Sequence, residues 1–176
     1  MQRILIIGPG GSGKSTLAAR LGSRLGLPVI NLDSLYWHDD WQPTPDAEWD
    51  AEVDRLVAEP AWILDGNYSR TLPRRLARAE AVVWLDLSRW RCLTRVISRQ
   101  LRYWGRARPG LPDGCRERLT LEFLGWIWTY GRTRRPRIAQ QLAALVPAVP
   151  VFHLRTPAEV EAFVDDLAVI DLRQTR

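Results

Sequence analysis

The chain has 176 residues, of which 46% are apolar and 26% are charged, a composition typical of one globular domain with a full core. No apolar run approaches the ~18 residues that cross a bilayer, the N-terminus lacks the pattern of a secretory signal, and two cysteines are too few for a disulfide framework. We therefore expect a single cytoplasmic domain over residues 1–176 that has no membrane partner.

The net charge of +5 is concentrated in the middle of the chain. Residues 89–137 carry 13 arginines and three acidic side chains, whereas residues 1–88 carry 9 basic and 12 acidic side chains and residues 138–176 carry 3 and 5. We call residues 89–137 the arginine-rich segment. Such segments are most often solvated faces, and the alternative is a surface that binds phosphate groups. Lys14 is the only lysine among the 25 basic residues.

A short apolar strand, RILII, precedes the glycine-rich stretch GPGGSGKST and a helix that continues as TLAARLGSRL. The stretch fits the pattern G-x-x-x-x-G-K-[ST], and its neighbours occur in the order that this phosphate-binding motif requires. Glycines allow backbone N–H groups to face phosphate oxygens, and the start of the helix adds its positive dipole end. Lys14 is expected to reach the β- and γ-phosphates, and the Ser15 hydroxyl to bind Mg²⁺. The residues predicted to bind ATP are Gly8, Gly10, Gly11, Ser12, Gly13, Lys14, Ser15 and Thr16.

The rest of the chain alternates predicted strands and helices. Strands are predicted at residues 28–33 (PVINLD), 62–65 (WILD), 81–86 (AVVWLD) and 149–154 (VPVFHL). Helices are predicted at AEWDAEVDRLVAE, RTLPRRLARAE, WRCLTRVISRQLRYW, LEFLGWIWTYG, IAQQLAALV and TPAEVEAFVDDL. This alternation predicts an α/β fold with a parallel sheet covered on both faces, and ligands beyond the carboxyl ends of its strands.

Three of the predicted helices show a clear apolar face or a clear start. The helix AEWDAEVDRLVAE is expected to pack through Trp49, Val53, Leu56 and Val57. The helix that opens the arginine-rich segment is expected to pack through Leu93, Val96, Ile97 and Leu101. The last helix is predicted to begin with Thr156 as its N-cap and Pro157 at its first position.

Three predicted strands end in an aspartate, and each aspartate has more than one interpretation. Asp33 either orients or deprotonates an acceptor hydroxyl, or it caps a helix that begins at residues 34–35, and the two roles are compatible. Asp65 either binds Mg²⁺ or caps the loop that follows it, and Asp86 is the competing carboxylate for the metal. We favour Asp65 for the metal and Asp33 for the acceptor.

The arginine-rich segment contains a candidate phosphate clamp. Phosphoryl transfer needs cations around the γ-phosphate. Arg95 and Arg99 are four residues apart and would share one helical face, which suits two guanidinium groups that close on a phosphate.

Two further residues are candidates for substrate binding. Arg70 follows the third predicted strand closely in the stretch WILDGNYSRT. Trp37, together with Trp41 and Trp49, is expected to form an apolar cover over the acceptor.

Several stretches resemble the small P-loop kinases of the adenylate kinase and shikimate kinase group. ILDGNYSRT is similar to the I-L-D-G-F-P-R-T stretch of adenylate kinases, and RVISR to the R-I-V-G-R stretch that opens their mobile lid. LDSLYW is similar to the D-x-F-Y element of uridine-kinase-like enzymes. The chain resembles the bacterial adenylate-kinase-related group labelled "DNA topology modulation protein", or FlaR-like, over nearly its whole length. The stretches that carry this resemblance are the glycine-rich motif, LDSLYW, ILDGNYSRT, GCRERLTLEFLGWIW and RTRRP.

The resemblance implies a P-loop NTPase three-layer sandwich with a five-stranded parallel sheet ordered 2-3-1-4-5. It also implies an arginine-rich helical lid at about residues 100–120 and an insertion on the acceptor side at residues 34–60. Asp65 would hold Mg²⁺, usually through water, and Arg95 and Arg99 would neutralise the transferring phosphoryl group.

The leading hypothesis is an ATP- and Mg²⁺-dependent phosphotransferase that acts on a small hydroxyl or phosphate acceptor. Its predicted catalytic residues are Lys14, Asp33, Arg95 and Arg99, and its predicted metal ligands are Ser15 and Asp65. The alternative is a nucleotide-switched, nucleic-acid-binding ATPase that affects DNA topology, in which the arginine-rich segment binds nucleic-acid phosphates.

Overall fold

The computed structural model describes residues 1–106, 111–112, 114–115, 118–144 and 149–174. The strands are β1 (Arg3–Ile7), β2 (Val29–Asn31), β3 (Trp37–His38), β4 (Gln42–Pro43), β5 (Trp62–Asp65), β6 (Ala81–Leu85) and β7 (Val151–Leu154). The helices are α1 (Lys14–Leu25), α2 (Leu32–Tyr36), α3 (Asp46–Ala58), α4 (Leu72–Arg78), α5 (Arg89–Arg102), α6 (Leu121–Thr133), α7 (Arg135–Ala143) and α8 (Pro157–Gln174). Within these described ranges, no helix combines the length and apolar character needed to cross a membrane.

Five strands form one parallel sheet in the order β2-β5-β1-β6-β7. When only the strands of this sheet are numbered, the order is 2-3-1-4-5, as predicted. The central strands β1, β5 and β6 are almost continuously apolar and almost wholly buried, as strands covered on both faces must be. The register aligns Ile6 with Asp65 and Ile7 with Trp84, so the strand ends that carry polar residues meet at one edge.

Each face of the sheet has its own apolar core. Along β1, Ile4 and Ile6 pack with Leu17 of α1, whereas Leu5 and Ile7 belong to the core on the opposite face. This alternation is the two-residue period of a strand. The second face is covered by helices that include α3, whose predicted packing residues are confirmed as buried: Trp49, Val53, Leu56 and Val57. The structure confirms the three-layer arrangement.

The buried face of α5 differs from the predicted one. Its buried residues are Cys92, Val96 and Gln100, whereas Ile97 and Leu101 are 44% and 70% exposed. The physical reason is the close approach of α5 to the glycine-rich loop. A Cβ on Gly11 would overlap the carbonyl oxygen of Cys92, so a bare glycine backbone fixes which side of α5 faces inward.

The second strand is shorter than predicted, and its cap is a different residue. β2 ends at Asn31, and Asp33 lies in the first turn of α2. The Asn31 side chain accepts a hydrogen bond from the Asp33 backbone N–H at 2.9 Å, which makes Asn31 the N-cap of α2. The alternative that Asp33 caps this helix is therefore wrong. By contrast, Thr156 Oγ1 accepts from the Glu159 N–H at 3.2 Å, as expected for the N-cap of α8.

A small hairpin of β3 and β4 follows α2, and its turn contains Asp40 and Trp41 with positive φ angles of 57° and 60°. The hairpin contacts described residues of the predicted lid: Asp40 N–H donates to Gly114 O at 3.4 Å, and Cys115 Sγ donates to His38 O at 3.0 Å. Parts of the predicted lid, at residues 107–110, 113 and 116–117, lie outside the described residues.

The loop after β5 is held by a buried arginine. Arg75 of α4 is 0% exposed, and its guanidinium donates to the carbonyl oxygens of Gly66 (2.7 Å), Asn67 and Tyr68 (2.9 Å). Burial lowers the pKa of Arg75 to about 9, so the group is still a cation at neutral pH. Three consecutive carbonyl groups are thereby fixed by one side chain.

Replacing this arginine should destabilise the fold. In Arg75→Met, carbonyl groups of the loop lose a charged donor in a buried place, and we expect the free energy of unfolding to fall by about 2–4 kcal/mol. Chemical denaturation measures this loss. Arg74→Met is the matched control, because Arg74 is half-exposed and ion-paired with Asp50 and Asp54, and it should cost less than about 1 kcal/mol. Equal losses in the two variants would contradict the role of Arg75.

Candidate functional site

The glycine-rich loop connects β1 to α1 and forms the phosphate cradle, residues 8–16. Gly11 and Gly13 have φ angles of 78° and 96°, in the region that glycine adopts without strain. Lys14 Nζ donates to Pro9 O at 3.2 Å, so the lysine head lies over the loop. The turn and the start of α1 together aim backbone N–H groups into one concave surface, the arrangement that binds anionic phosphate oxygens.

Helix α5 brings arginines to the cradle. Arg95 Nη1 donates to Ser12 O at 3.1 Å, and Arg99, one turn further along, lines the same cavity. The predicted pairing of these two residues on one helical face is the arrangement that the structure shows. Two positive charges therefore lie beside the place where the cradle would hold a phosphate.

A carboxylate and a hydroxyl meet at the bottom of the cradle. Ser15 Oγ donates to Asp65 Oδ2 at 2.5 Å, and Asp65 is 2% exposed. The two residues meet because β5 pairs with β1, which leads directly into the cradle. Hard oxygen donors of this kind fit Mg²⁺, which binds proteins through one or two such groups and keeps water and phosphate oxygens as its other ligands.

Asp86, the competing carboxylate, lies in a different network. Its Oδ2 is 2.8 Å from Arg135 Nε and 2.8 Å from His153 Nε2, and Asp86 does not line the cavity above the cradle. The ring of His153 stacks on Trp84 with centroids 4.0 Å apart. Asp86 therefore ties α7 to the ends of β6 and β7, and of the two carboxylates only Asp65 contacts Ser15.

The loop after Asp65 links the cradle to the opposite side of the cavity. The Asn67 side chain makes two hydrogen bonds with Gly8: it accepts from Gly8 N–H at 2.9 Å and donates to Gly8 O at 2.6 Å. The next residue, Tyr68, donates its hydroxyl to Asp33 Oδ1 at 2.7 Å. Burial, and then the charge of Asp33, raises the pKa of Tyr68, so the hydroxyl keeps the proton that it donates.

The contacts of Asn67 with Gly8 and of Tyr68 with Asp33 were not predicted from the sequence. A sequence signal existed, since polar residues directly after a strand-ending Asp-Gly lie at the ligand-binding edge of a parallel sheet. Arg75, which fixes the loop, looked like any other arginine of a short helix. Its role depends on burial, which the local pattern RTLPRRLARAE does not reveal.

The predicted site residues line one cavity of about 1030 Å³. Those that line it are Gly10, Gly11, Ser12, Gly13, Lys14, Ser15, Thr16, Asp33, Trp37, Asp65, Arg95 and Arg99. Gly8 lies at the start of the cradle, where its N–H is already bonded to Asn67. The cavity extends from the cradle to Asp33 and to the ring pair Trp37 and Trp41, whose centroids are 5.6 Å apart.

Two predicted substrate-side residues lie elsewhere. Arg70 is an exposed side chain outside the cavity lining, and it is ion-paired with Asp46 and Asp50, which are one turn apart on α3. Trp49 was expected in the apolar cover, but it is 1% exposed and belongs to the core. The cover consists of Trp37 and Trp41, because α3 turns Trp49 toward the sheet.

The curated relatives that the chain matches include an adenylate kinase and a tRNA dimethylallyltransferase. The adenylate kinase of Micrococcus luteus is 32% identical over 81 residues, which cover 46% of this chain and 38% of that protein. The tRNA dimethylallyltransferase of Synechococcus sp. (strain CC9902) is 40% identical over 88 residues, covering 48% and 28%. The chain thus spans well under half the length of the curated relatives it matches. No protein-family model matches the chain.

Solved structures resemble the chain over its whole length. Shikimate kinase from Acinetobacter baumannii, solved in complex with shikimate, superposes with a TM-score of 0.59 at 15% identity, covering 100% of this chain and 96% of that one. Shikimate kinase from Bacteroides thetaiotaomicron gives a TM-score of 0.51 at 20% identity, covering 96% and 97%. The chain therefore has a shikimate kinase-like fold, and together with the partial matches to adenylate kinase this supports a P-loop kinase-like protein.

Proposed function

We propose that the protein is an ATP- and Mg²⁺-dependent phosphotransferase that moves a γ-phosphoryl group to the hydroxyl of a small acceptor. The observation that carries this proposal is the loop of residues 65–68. Within four residues it contacts Ser15 on the metal side, Gly8 of the cradle and Asp33 on the opposite side of the same cavity. A nucleotide site and an acceptor site joined in this way are what direct transfer requires.

The cradle residues would bind and hold the nucleotide. Its N–H groups and Lys14 would hold the β- and γ-phosphates, and Lys14 would exchange its bond to Pro9 O for a phosphate oxygen. Ser15 and Asp65 would hold Mg²⁺, which, when bound, neutralises charge on the phosphates. Arg95 lies against Ser12 of the cradle, where its charge would stabilise the migrating phosphoryl group.

Asp33 would act on the acceptor. The acceptor oxygen would bond to the γ-phosphorus while the bond from that phosphorus to the β–γ bridging oxygen breaks, and ADP would leave with the electron pair. Asp33 would orient the acceptor hydroxyl and take its proton. Tyr68 fixes one carboxylate oxygen of Asp33 by a 2.7 Å hydrogen bond, which limits the carboxylate to one orientation.

Two finer assignments remain part of this proposal. Membership of the FlaR-like group is supported by stretches that include LDSLYW and ILDGNYSRT, and the assignment of a single cytoplasmic domain is supported by the composition. The nucleic-acid-binding ATPase is not supported by the comparisons. Two arginines of the arginine-rich segment also have partners within the fold, since Arg95 bonds to the cradle and Arg135 to Asp86.

The two carboxylates Asp65 and Asp86 can be separated by their effect on metal dependence. We expect Asp65→Asn to raise the half-saturating Mg²⁺ concentration for ATP turnover by about 10–100-fold, because the proposed metal ligand loses its negative charge. Asp86→Asn should leave the half-saturating Mg²⁺ concentration within about twofold, since its partners are Arg135 and His153. The measurement is a Mg²⁺ titration at saturating ATP, and the reverse ranking would assign the metal to Asp86.

Tyr68 should act through Asp33. We expect Tyr68→Phe to lower kcat about tenfold with little change in the KM for ATP, since a hydrogen bond to a charged group contributes about 1.5 kcal/mol or more.

A double-mutant cycle tests whether the effect passes through the carboxylate. In an Asp33→Asn background, Tyr68→Phe should cost less than about twofold, because the carboxylate that Tyr68 orients is gone. Additive losses in the double variant would show that Tyr68 only stabilises the fold.

A further inference from the structure

We propose that the acceptor is an alcohol with a flat, uncharged ring and with no phosphate or carboxylate group. This inference rests on the proposed function and narrows its substrate class, because the sequence left both hydroxyl and phosphate acceptors open. Three features of the cavity carry the inference: the ring-lined wall, the charge balance around Asp33 and the size of the space.

Aromatic rings form the cavity wall beside Asp33. Trp37 and Trp41 are both half-buried, and their rings meet at an interplanar angle of 67°. Trp41 lies in the turn of the hairpin, whose positive φ of 60° at this residue places the ring beside Trp37. Phe123 and Trp126 of α6 line the same cavity, with nearly parallel rings 6.0 Å apart. Such surfaces favour the flat face of a ring.

The arginines that would bind an acidic acceptor are committed elsewhere. Arg70 is paired with Asp46 and Asp50, and Arg74 with Asp50 and Asp54, all outside the cavity lining. A phosphate or carboxylate is normally held by a guanidinium that is available to it. Extracting either arginine from its carboxylates would leave the acidic surface of α3 without its partners.

Both cations and carboxylates line the cavity, and we assign Arg118, Asp33 and Glu122 to its acceptor side. Among the described residues, Arg118 lies beside Trp41, with its guanidinium carbon 5.4 Å from the ring centroid, and is engaged as a cation over that ring. Asp33 and Glu122 line the same cavity and are acidic. The remaining arginines of the lining are Arg20 of α1, which is ion-paired with Glu161, and three on α5, which we assign to the nucleotide phosphates: Arg95, Arg99 and Arg102. A second anionic group on the acceptor would be repelled by Asp33 at the point where its hydroxyl must bind.

The volume of the cavity is at the upper end of the range of ligand pockets. Pockets for one drug-sized ligand run from about 300 to 1,000 Å³, and this cavity measures about 1030 Å³. The Asp33 carboxylate and the Tyr68 hydroxyl, which are joined by a hydrogen bond, line this cavity and suit one acceptor hydroxyl.

The experiment compares acceptors that differ in one feature at a time. ATP consumption and product formation are measured with nucleosides, with the matching nucleoside 5′-monophosphates, with benzyl alcohol, with shikimate and with glycerol. We expect kcat/KM for a ring-bearing, uncharged alcohol to exceed that of its phosphorylated or carboxylated counterpart by at least about tenfold. Comparison of the nucleosides with benzyl alcohol shows which kind of flat ring the protein accepts.

Two variants test the wall directly. Trp37→Leu should raise the KM for the ring-bearing acceptor about five- to hundredfold, the range for losing one stacking partner. Trp90→Leu is the matched control, since its indole is exposed on α5 outside this cavity, and it should change KM less than twofold. Arg70→Gln should likewise leave the acceptor KM within twofold.

The outcomes separate this inference from the proposed function. The uncharged acceptor would be contradicted if a nucleoside monophosphate or shikimate were the best acceptor, or if Arg70→Gln strongly raised the acceptor KM. Either result would leave the proposed phosphotransferase activity standing. Glycerol as an equal acceptor, or an unchanged KM in Trp37→Leu, would overturn the ring requirement. If no acceptor in the panel is phosphorylated, both the inference and the proposed function fail.

Discussion

The site depends on the hydrogen bonds that the buried guanidinium of Arg75 donates to the carbonyl groups of residues 66–68. A buried cation is costly unless it is well hydrogen-bonded, so the guanidinium and the loop each require the other in this position. The side chains of that loop then reach Gly8 on one side and Asp33 on the other. One buried interaction thereby sets the relative positions of the cradle and the Asp33 carboxylate.

The sequence predicted those parts of the molecule that local patterns determine. Apolar strands followed by helices predicted the parallel sheet, the resemblance to small P-loop kinases implied its strand order, and the glycine-rich motif predicted the cradle. Asp65 was identified because it ends a strand beside that motif. The ion pairs of Arg70 could not be predicted in the same way, since they depend on where α3 places Asp46 and Asp50. Arg75 was missed for a related reason: burial of a polar side chain is a property of the packed helix and not of its sequence.

The arginine-rich segment shows why composition alone could not decide between a phosphotransferase and a nucleic-acid-binding protein. Its residues have at least three different physical roles. Arg95 donates to the cradle, Arg135 pairs with Asp86, and Arg89 lies 4.1 Å from the ring centroid of Trp128. The first role adds charge to a ligand site, the second fixes a helix, and the third stabilises a surface ring. The same residue type therefore carries information about function only once its partners are known.

The ring wall formed by Trp37 and Trp41 also contacts described residues of the predicted lid segment. Cys115 donates to the carbonyl group of His38, and Arg118 lies over the ring of Trp41. A displacement of this segment would therefore move the wall or break these contacts. In a phosphotransferase, water must be kept from the γ-phosphate until the acceptor is in place. Cys115 and Arg118, which belong to the described part of the segment that the resemblance assigns to the lid, contact this wall directly, so the wall and the segment hold each other in position.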